Sequence, residues 1–217
     1  MIPLLALDTA AHSPAAGGDT LTYLALGDSY TIGQSVPVGQ RYPVQAVSQL
    51  RIGGITCKDP EIIAVTGWTT ADLLAAMPAV VSEPPYHIVS LLIGVNNQYQ
   101  GQSQSAYREQ FTNLLQQCIH LAGDRPSHVM VLSIPDYSVT PFAKGANRPY
   151  IAAQIDSFNS ISRQISGDYK VQYLDITAES RKAAADLSLV AVDGLHFSSK
   201  EYEIWAAMMV PLIEEMQ

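Results

Sequence analysis

One stretch decides the fold of this chain: Leu21-Thr-Tyr-Leu-Ala-Leu-Gly-Asp-Ser-Tyr-Thr-Ile-Gly33. Its first part, Leu21 to Leu26, is short and apolar, which is typical of a buried strand. The run turns polar after Gly27, and Ser29 follows two residues later. A serine just past the carboxyl end of a strand lies where open α/β sheets bind their ligands. We therefore predict a buried strand that places Ser29 at a functional site.

Further apolar runs alternate with helix-like segments along the chain. Strands are predicted over 21–26, 61–65, 87–93, 128–133 and 171–174, and helices over 42–51, 69–77, 103–122, 149–166, 176–185 and 199–216. This alternation indicates βαβ units, in which helices cover both faces of a parallel sheet. The continuously apolar run Ile88-Val-Ser-Leu-Leu-Ile93 fits such burial. The expected fold class is α/β, with three α/β/α layers around a central, mostly parallel sheet of five strands.

Several predicted helices carry boundary signals. Pro43 and Pro149 suit first-turn positions, where the missing N–H is not needed. The segment Ser198-Ser-Lys-Glu201 matches a capping box at the start of the last helix. That helix places an apolar stripe on one face, which we interpret as core packing. The stripe consists of Tyr202, Trp205, Ala206, Met209, Leu212, Ile213 and Met216.

Length and composition limit the classes of protein that the chain can belong to. It has 217 residues, of which 47% are hydrophobic and 15% are charged, as in an ordinary globular domain. The net charge of −8 argues against nucleic-acid binding and against docking on anionic lipid. No apolar run reaches the roughly 18 residues that a membrane span requires. The oligomeric state does not follow from composition.

The N-terminus differs in composition from the rest. Residues 1–20 are predicted to be a weakly structured leader, and residues 21–217 to form one domain. The apolar residues 1–7 lack a basic segment and are too short for a full signal peptide. A cytoplasmic location is the default interpretation. The alternative is a periplasmic or secreted protein whose leader is a remnant of processing.

The two cysteines, Cys57 and Cys118, do not identify a compartment. Cys118 shares a helical face with apolar residues, so we interpret it as a small buried hydrophobic side chain. The residues on that face are Phe111, Leu114, Leu115, Leu121 and Ala122. A Cys57–Cys118 disulfide stays open as the alternative, because sequence alone cannot establish the geometry that it requires.

A serine hydroxyl needs a general base within hydrogen-bond reach before it can act as a nucleophile. His196 is the candidate base, because it follows a predicted late strand over 189–192 and because Asp193 lies three residues before it. The remaining histidines lie in the leader, within a helix or at the starts of strands: His12, His120, His87 and His128. Asp193 can accept a hydrogen bond from the imidazole and fix its tautomer. Ser29, Asp193 and His196 are therefore the candidate catalytic residues.

Acyl transfer also needs hydrogen-bond donors aimed at the oxygen that becomes negative. The Ser29 backbone N–H is one candidate, and the Gly67 N–H, after the second strand, is another. The Asn96 side-chain amide, after the third strand, is a third candidate. Taken alone, Gly67 could be a plain turn glycine and Asn96 a strand-end cap. Because all three follow neighbouring strands, we interpret them as one oxyanion hole.

These segments resemble the blocks of the SGNH (GDSL-type) hydrolases, and they occur in the same order. Ser29, Gly67 and Asn96 match the first three blocks, and Asp193 with His196 matches the last. The resemblance implies a flavodoxin-like three-layer fold and an esterase, lipase or acyl-thioesterase that uses neither a metal nor another cofactor. Two positions depart from the family pattern. Tyr30 stands where the family name has Leu, and Asn97 where Asp is commoner, which weakens any transfer of substrate preference.

Aromatic residues near the predicted site are candidates to line a substrate channel. The irregular segment 134–148 leaves the fourth strand at the same sheet edge, and loops of this length are often functional. It contains Tyr137 and Phe142, for which a packed surface loop is the alternative. The neighbours of the oxyanion candidates, Tyr30, Trp68 and Asn97, are further candidates.

These features favour a serine esterase that hydrolyses short-chain acyl esters, acetyl esters foremost. Its partner would be a small-molecule or carbohydrate-linked ester. A lysophospholipase, an acyl-thioesterase and an acyltransferase are alternatives on the same site. The non-enzyme alternative is a carbohydrate-binding module that keeps a hydrolase fold but has lost its catalytic activity. A flavodoxin-like nucleotide binder is disfavoured, because Asp28 would face the phosphate with no Lys or Arg nearby.

Overall fold

A computed structural model describes residues 20–80 and 84–216, with the side chains of 78–80 excepted. Five parallel strands form one sheet in the order β2-β1-β3-β4-β5. The strands are β1 (Tyr23–Gly27), β2 (Glu61–Ala64), β3 (Ile88–Leu92), β4 (Val129–Leu132) and β5 (Gln172–Leu174). Each begins and ends within two residues of its predicted bounds. The predicted leader lies, apart from residue 20, outside the described residues.

Eight α-helices accompany the sheet in the described part of the chain. They are α1 (Ser29–Ile32), α2 (Tyr42–Ile52), α3 (Thr70–Val80), α4 (Val95–Tyr99), α5 (Gln104–Leu121), α6 (Arg148–Asp168), α7 (Thr177–Ser180) and α8 (Ser199–Glu214). Helix α2 packs against α8, while α5 packs against both α3 and α6. Right-handed crossovers between parallel strands place these two groups on opposite faces of the sheet. The result is the three-layer α/β/α fold that the sequence predicts.

The core explains why these segments form these elements. Every residue of β1, β3 and β4 is buried, as expected for a parallel sheet covered on both faces. The predicted apolar stripe faces this core: Leu212 is partly buried and the others are buried, including Met216 just past the end of α8. Pro43 and Pro149 lie in the first turns of α2 and α6, where no N–H is needed.

The region after β5 departs from the prediction. The helix expected over 176–185 is interrupted: α7 ends at Ser180 and a 3₁₀ turn continues over Arg181–Ala184. The strand expected over 189–192 is not formed. Val190 makes an isolated antiparallel bridge with Phe197, and Val192 is fully exposed. Leu189 instead ends a 3₁₀ turn, Leu187–Leu189, which the Asp186 side chain caps.

Only half of the predicted capping box forms at the start of α8. The Ser198 side chain accepts a hydrogen bond from the Glu201 N–H, as expected. The Glu201 side chain does not return this bond, since the Ser198 N–H donates to Leu189 O. Glu201 is instead fully buried, and its Oε1 accepts a hydrogen bond from Trp205 Nε1 at 2.8 Å. Burial raises the pKa of Glu201 to about 7.

Both cysteines are free thiols, so the Cys57–Cys118 disulfide left open above is not formed. Cys118 is fully buried on the apolar face of α5, as interpreted from the sequence. Burial raises the pKa of its thiol to about 12. As for the membrane, the described residues contain no helix with the length and hydrophobicity to cross one.

Candidate active site

The end of β1 determines the position of Ser29. β1 ends at Gly27, and a Cβ at that position would lie 2.3 Å from the Leu92 carbonyl oxygen. Glycine therefore allows the close approach of β1 and β3 at this edge. Asp28 Oδ1 then accepts the Tyr30 N–H at 3.0 Å and caps α1, whose first residue is Ser29. Burial raises the pKa of the Asp28 carboxyl to about 7.

Asp193 and His196 form a hydrogen-bonded pair in the loop before α8. His196 Nδ1 lies 2.7 Å from Asp193 Oδ2. The backbone N–H groups of Leu195 and His196 each donate to Asp193 Oδ1 at 2.9 Å, which folds the loop around this carboxylate. Ser35, just beyond α1, donates its hydroxyl to Asp193 Oδ2 at 2.5 Å. The carboxylate is thus bound to four donors.

The protonation of this pair follows from those contacts. Partial burial acts to raise the pKa of Asp193, but the four hydrogen bonds outweigh it and hold the pKa well below its ordinary value. An ionised carboxylate only accepts hydrogen bonds, so His196 Nδ1 must carry the proton. In a neutral ring Nε2 is then the free acceptor, which is the tautomer that a general base requires.

Gly67 and Asn96 lie on either side of Ser29 along the sheet edge. Gly67 has a φ of 88°, and no heavy atom lies within 4 Å of where its Cβ would be, so its backbone is open to a ligand. Asn96 Nδ2 donates one hydrogen to the Trp68 carbonyl oxygen at 2.9 Å and has a second one available. The hydrogen bonds of the described residues use neither the Ser29 N–H nor the Gly67 N–H.

One cleft of about 180 Å³ brings most of the candidate residues together. Ser29, Gly67, Asn96 and His196 all line it, and Asp193 supports His196 from behind. No hydrogen bond of the described residues joins Ser29 Oγ to the His196 ring. Such bonds are often long before a substrate binds. The described residues contain no cluster of three His, Cys, Asp or Glu side chains that could hold a metal ion.

The candidate substrate-lining residues divide into two groups. Tyr30, Tyr137 and Phe142 line the cleft, and the Tyr30 ring meets the His196 ring edge-on at 5.7 Å between centroids. Trp68 does not line it; its side chain packs against the core.

Asn97 also lies outside the cleft. It is fully buried, and its Oδ1 accepts the Thr70 N–H at 3.1 Å, so it joins α4 to α3. Its Nδ2 donates to Gln102 Oε1 at 2.8 Å. An amide suits these partners because its oxygen accepts and its nitrogen donates, so the Asn97 side chain supports the fold here.

Several residues of this cleft were not predicted from the sequence. Thr66, Val95, Tyr99 and Leu195 also line the cleft. Tyr99 had a usable signal, since it lies three residues after Asn96 and would share a face with it on a helix. Ser35 had no such signal in the sequence, because it lies 158 residues away from its partner Asp193.

The fold and the cleft define a class of proteins, the α/β/α hydrolases with a serine at the end of the first strand. The GDSL-like Lipase/Acylhydrolase family matches residues 25–204, and the chain therefore belongs to this family. It is an SGNH-type serine hydrolase that acts on carboxylic esters. No curated protein matches the chain by sequence.

Solved structures show the same fold at low sequence identity. TesA is 17% identical with a TM-score of 0.71, over 90% of this chain and 99% of its own. A lipase/acylhydrolase from Enterococcus faecalis is 19% identical with a TM-score of 0.68, and the match covers 90% of this chain and 96% of that protein's chain. An acetylxylan esterase from Geobacillus stearothermophilus is 17% identical with a TM-score of 0.69, and the match covers 89% of this chain and 94% of that protein's chain.

Proposed function

We propose that this protein is a serine esterase that hydrolyses short-chain acyl esters, acetyl esters foremost, with Ser29, His196 and Asp193 as its catalytic triad. The observation that carries this proposal is the Asp193–His196 hydrogen bond of 2.7 Å behind a cleft shared by His196 and Ser29. This arrangement supports the tautomer in which Nε2 can accept the serine proton. Esters then fit as substrates, because their cleavage needs a nucleophile and a proton shuttle.

The reaction proceeds in two halves. Ser29 Oγ attacks the ester carbonyl carbon while its proton moves to His196 Nε2. The tetrahedral intermediate collapses, the bond to the alcohol breaks, and His196 gives its proton to the departing oxygen. Water then attacks the acyl-serine and gives a proton to His196; the bond from the acyl carbon to Ser29 Oγ breaks, His196 returns the proton to Oγ, and the carboxylic acid leaves. Asp193 stabilises the imidazolium in both halves.

The negative oxygen of each intermediate needs donors that are already in place. The Ser29 N–H, the Gly67 N–H and the free Asn96 amide hydrogen suit this role, because all three residues border the same cleft. The Asn96 bond to the Trp68 carbonyl holds the turn that contains Gly67. Asn96 would thus act both as a donor and as a support for the neighbouring donor.

Replacing Asn96 by alanine tests this assignment. Loss of one side-chain donor is expected to lower kcat by about 10²–10³-fold with little change in KM, because the oxyanion forms only in the transition state. Steady-state kinetics with p-nitrophenyl acetate measure both constants. The matched control is Asn113→Ala, an exposed asparagine on α5 that should keep wild-type kinetics. A change confined to KM would make Asn96 a ground-state binding residue instead.

The small cleft supports the preference for short acyl groups. Its volume of about 180 Å³ is below the roughly 300–1,000 Å³ of sites that enclose drug-sized ligands. The fold is also shared with an enzyme described as an acetylxylan esterase. A series of p-nitrophenyl esters from C2 to C16 is expected to give the highest kcat/KM at C2 to C4. A maximum at C10 or longer would contradict this preference and favour a lysophospholipase or an acyl-thioesterase.

A further inference from the structure

Three aromatic side chains form a cluster at the mouth of the cleft, which we call the aromatic rim: Tyr99, Tyr137 and Phe142. Their ring centroids lie 6.2 Å (Tyr99–Tyr137), 6.3 Å (Tyr99–Phe142) and 6.3 Å (Tyr137–Phe142) apart. Tyr137 is buried, whereas Tyr99 is 61% exposed and Phe142 is 48% exposed. All three line the cleft that contains Ser29. The rim therefore presents aromatic surface to whatever enters the site.

The rim is held in place by hydrogen bonds. The Tyr137 hydroxyl donates to Gln98 Oε1 at 3.0 Å, which joins the segment after β4 to α4. The Phe142 N–H donates to the Gly194 carbonyl oxygen at 2.8 Å. Gly194 lies between Asp193 and His196, so the rim is tied directly to the loop that holds the proposed base. A fixed aromatic surface binds a flat apolar partner at a low cost in conformational entropy.

The position of the rim indicates which half of an ester it would meet. Along the sheet edge, Gly67 follows β2, Ser29 follows β1, Asn96 follows β3, and Tyr137 follows β4. The rim therefore lies across Ser29 from Gly67. In the proposed reaction His196 protonates the departing alcohol oxygen, so the alcohol half must lie beside the His196 loop. The Phe142 N–H donates a hydrogen bond to Gly194 of that loop, so the rim lies next to it.

We propose that the aromatic rim binds the alcohol half of the ester, and that this alcohol carries a ring whose flat apolar face stacks on Tyr99 and Phe142. This inference rests on the proposed esterase function and deepens it. Aromatic side chains stack on the flat faces of other rings, and the C–H face of a sugar offers a comparable surface. A carbohydrate and an aromatic alcohol share this chemistry, and substrates that carry one or the other distinguish them.

The test keeps the acetyl group constant and varies the alcohol. The substrates are ethyl acetate, benzyl acetate and an acetylated methyl xylopyranoside, and the variants are Tyr99→Leu and Phe142→Leu, which keep apolar bulk but remove the ring. We expect KM to rise about 5- to 20-fold for a ring-bearing ester with kcat retained, and to rise much less for ethyl acetate, which has no ring. A rise in KM for benzyl acetate identifies an aromatic alcohol as the preferred partner of the rim, and a rise for the xyloside identifies a sugar. The matched control is Tyr150→Leu, a 60% exposed tyrosine outside the cleft.

Two results would overturn the assignment of the rim. One is an equal rise in KM for all three acetates in the Tyr99→Leu and Phe142→Leu variants. The other is a change, in these variants, in the ratio of kcat/KM for ethyl acetate to that for ethyl octanoate, which would place the acyl chain on the rim.

A binding measurement separates this proposal from the esterase proposal. Saturation-transfer NMR with Ser29→Ala detects benzyl alcohol or methyl xylopyranoside on the rim without any turnover. If no acetate is hydrolysed but Tyr99→Leu, introduced into Ser29→Ala, removes the signal, the proposed activity on acetyl esters fails while the rim still binds a ring. If neither compound gives a signal that depends on Tyr99 or Phe142, the rim assignment fails.

Discussion

Replacing Ser29 by alanine is expected to lower kcat by roughly 10⁴- to 10⁶-fold, because the variant has no hydroxyl to form the acyl-enzyme. The side chain is almost fully buried at the start of α1, and its hydroxyl makes no hydrogen bond that supports the fold in the described part of the chain. The variant should therefore fold normally. Hydrolysis of p-nitrophenyl acetate measures the loss, and circular dichroism during thermal unfolding checks the fold.

A fluorophosphonate probe tests the same assignment without a substrate. The wild-type protein should take up one probe molecule, which peptide mass spectrometry should locate on Ser29, and Ser29→Ala should take up none. The matched control is Ser160→Ala, an exposed serine on α6; this variant should react with the probe and hydrolyse the ester as the wild type does. Labelling at another serine in a fully active Ser29→Ala protein would show that the nucleophile lies elsewhere.

The sheet could be predicted from the sequence because its strands are buried on both faces. The run from Ile88 to Ile93 is apolar at nearly every position, and few other structures explain such a run between helical patterns. The same reasoning failed for 189–192, which looks like a strand but has an exposed Val192. There the chain forms a 3₁₀ turn capped by Asp186 and then one isolated bridge, from Val190 to Phe197. A four-residue apolar run is too short a pattern to distinguish such a loop from a buried strand.

The candidate site could be assembled from the sequence where its residues follow strands. Ser29, Gly67 and Asn96 lie at one edge because parallel strands end there, and order along the chain is enough to bring them together. The contact of Ser35 with Asp193 depends on how a loop after α1 meets a loop before α8. No spacing in the sequence encodes that contact.

Two polar residues show a second limit of sequence reasoning. Asn97 stands beside Asn96 but is turned away from the cleft, because adjacent residues on a helix do not share a face. Glu201 has the spacing of a capping box, but its side chain is buried against Trp205. The Asn97 amide bonds Thr70 on another helix, whereas the Glu201 carboxylate bonds Trp205 one turn further along α8. Sequence spacing identified the residue but not its partner.

Asp193 offers a sharper test than Ser29, because its replacement by asparagine removes the negative charge and turns one acceptor into a donor with little change of shape. In the wild-type protein, Oδ1 accepts two backbone N–H groups and Oδ2 accepts the Ser35 hydroxyl and His196 Nδ1–H. In Asp193→Asn the amide oxygen is expected to keep the backbone N–H groups. The amide nitrogen then faces His196 and donates where the carboxylate accepted.

This reversal moves the imidazole proton to the wrong nitrogen. With a donor opposite Nδ1, the neutral His196 ring carries its hydrogen on Nε2 and cannot accept the Ser29 proton. We expect kcat to fall by about 10⁴-fold with KM nearly unchanged, since the cleft walls are intact. The control is Asp124→Asn, which alters a second Asp–His pair, Asp124 with His120, at a distance of 3.3 Å and with both side chains about 80% exposed. That variant should keep wild-type kinetics. If Asp193→Asn keeps near-normal kcat with p-nitrophenyl acetate, the Asp193–His196 pair is not the base that activates Ser29.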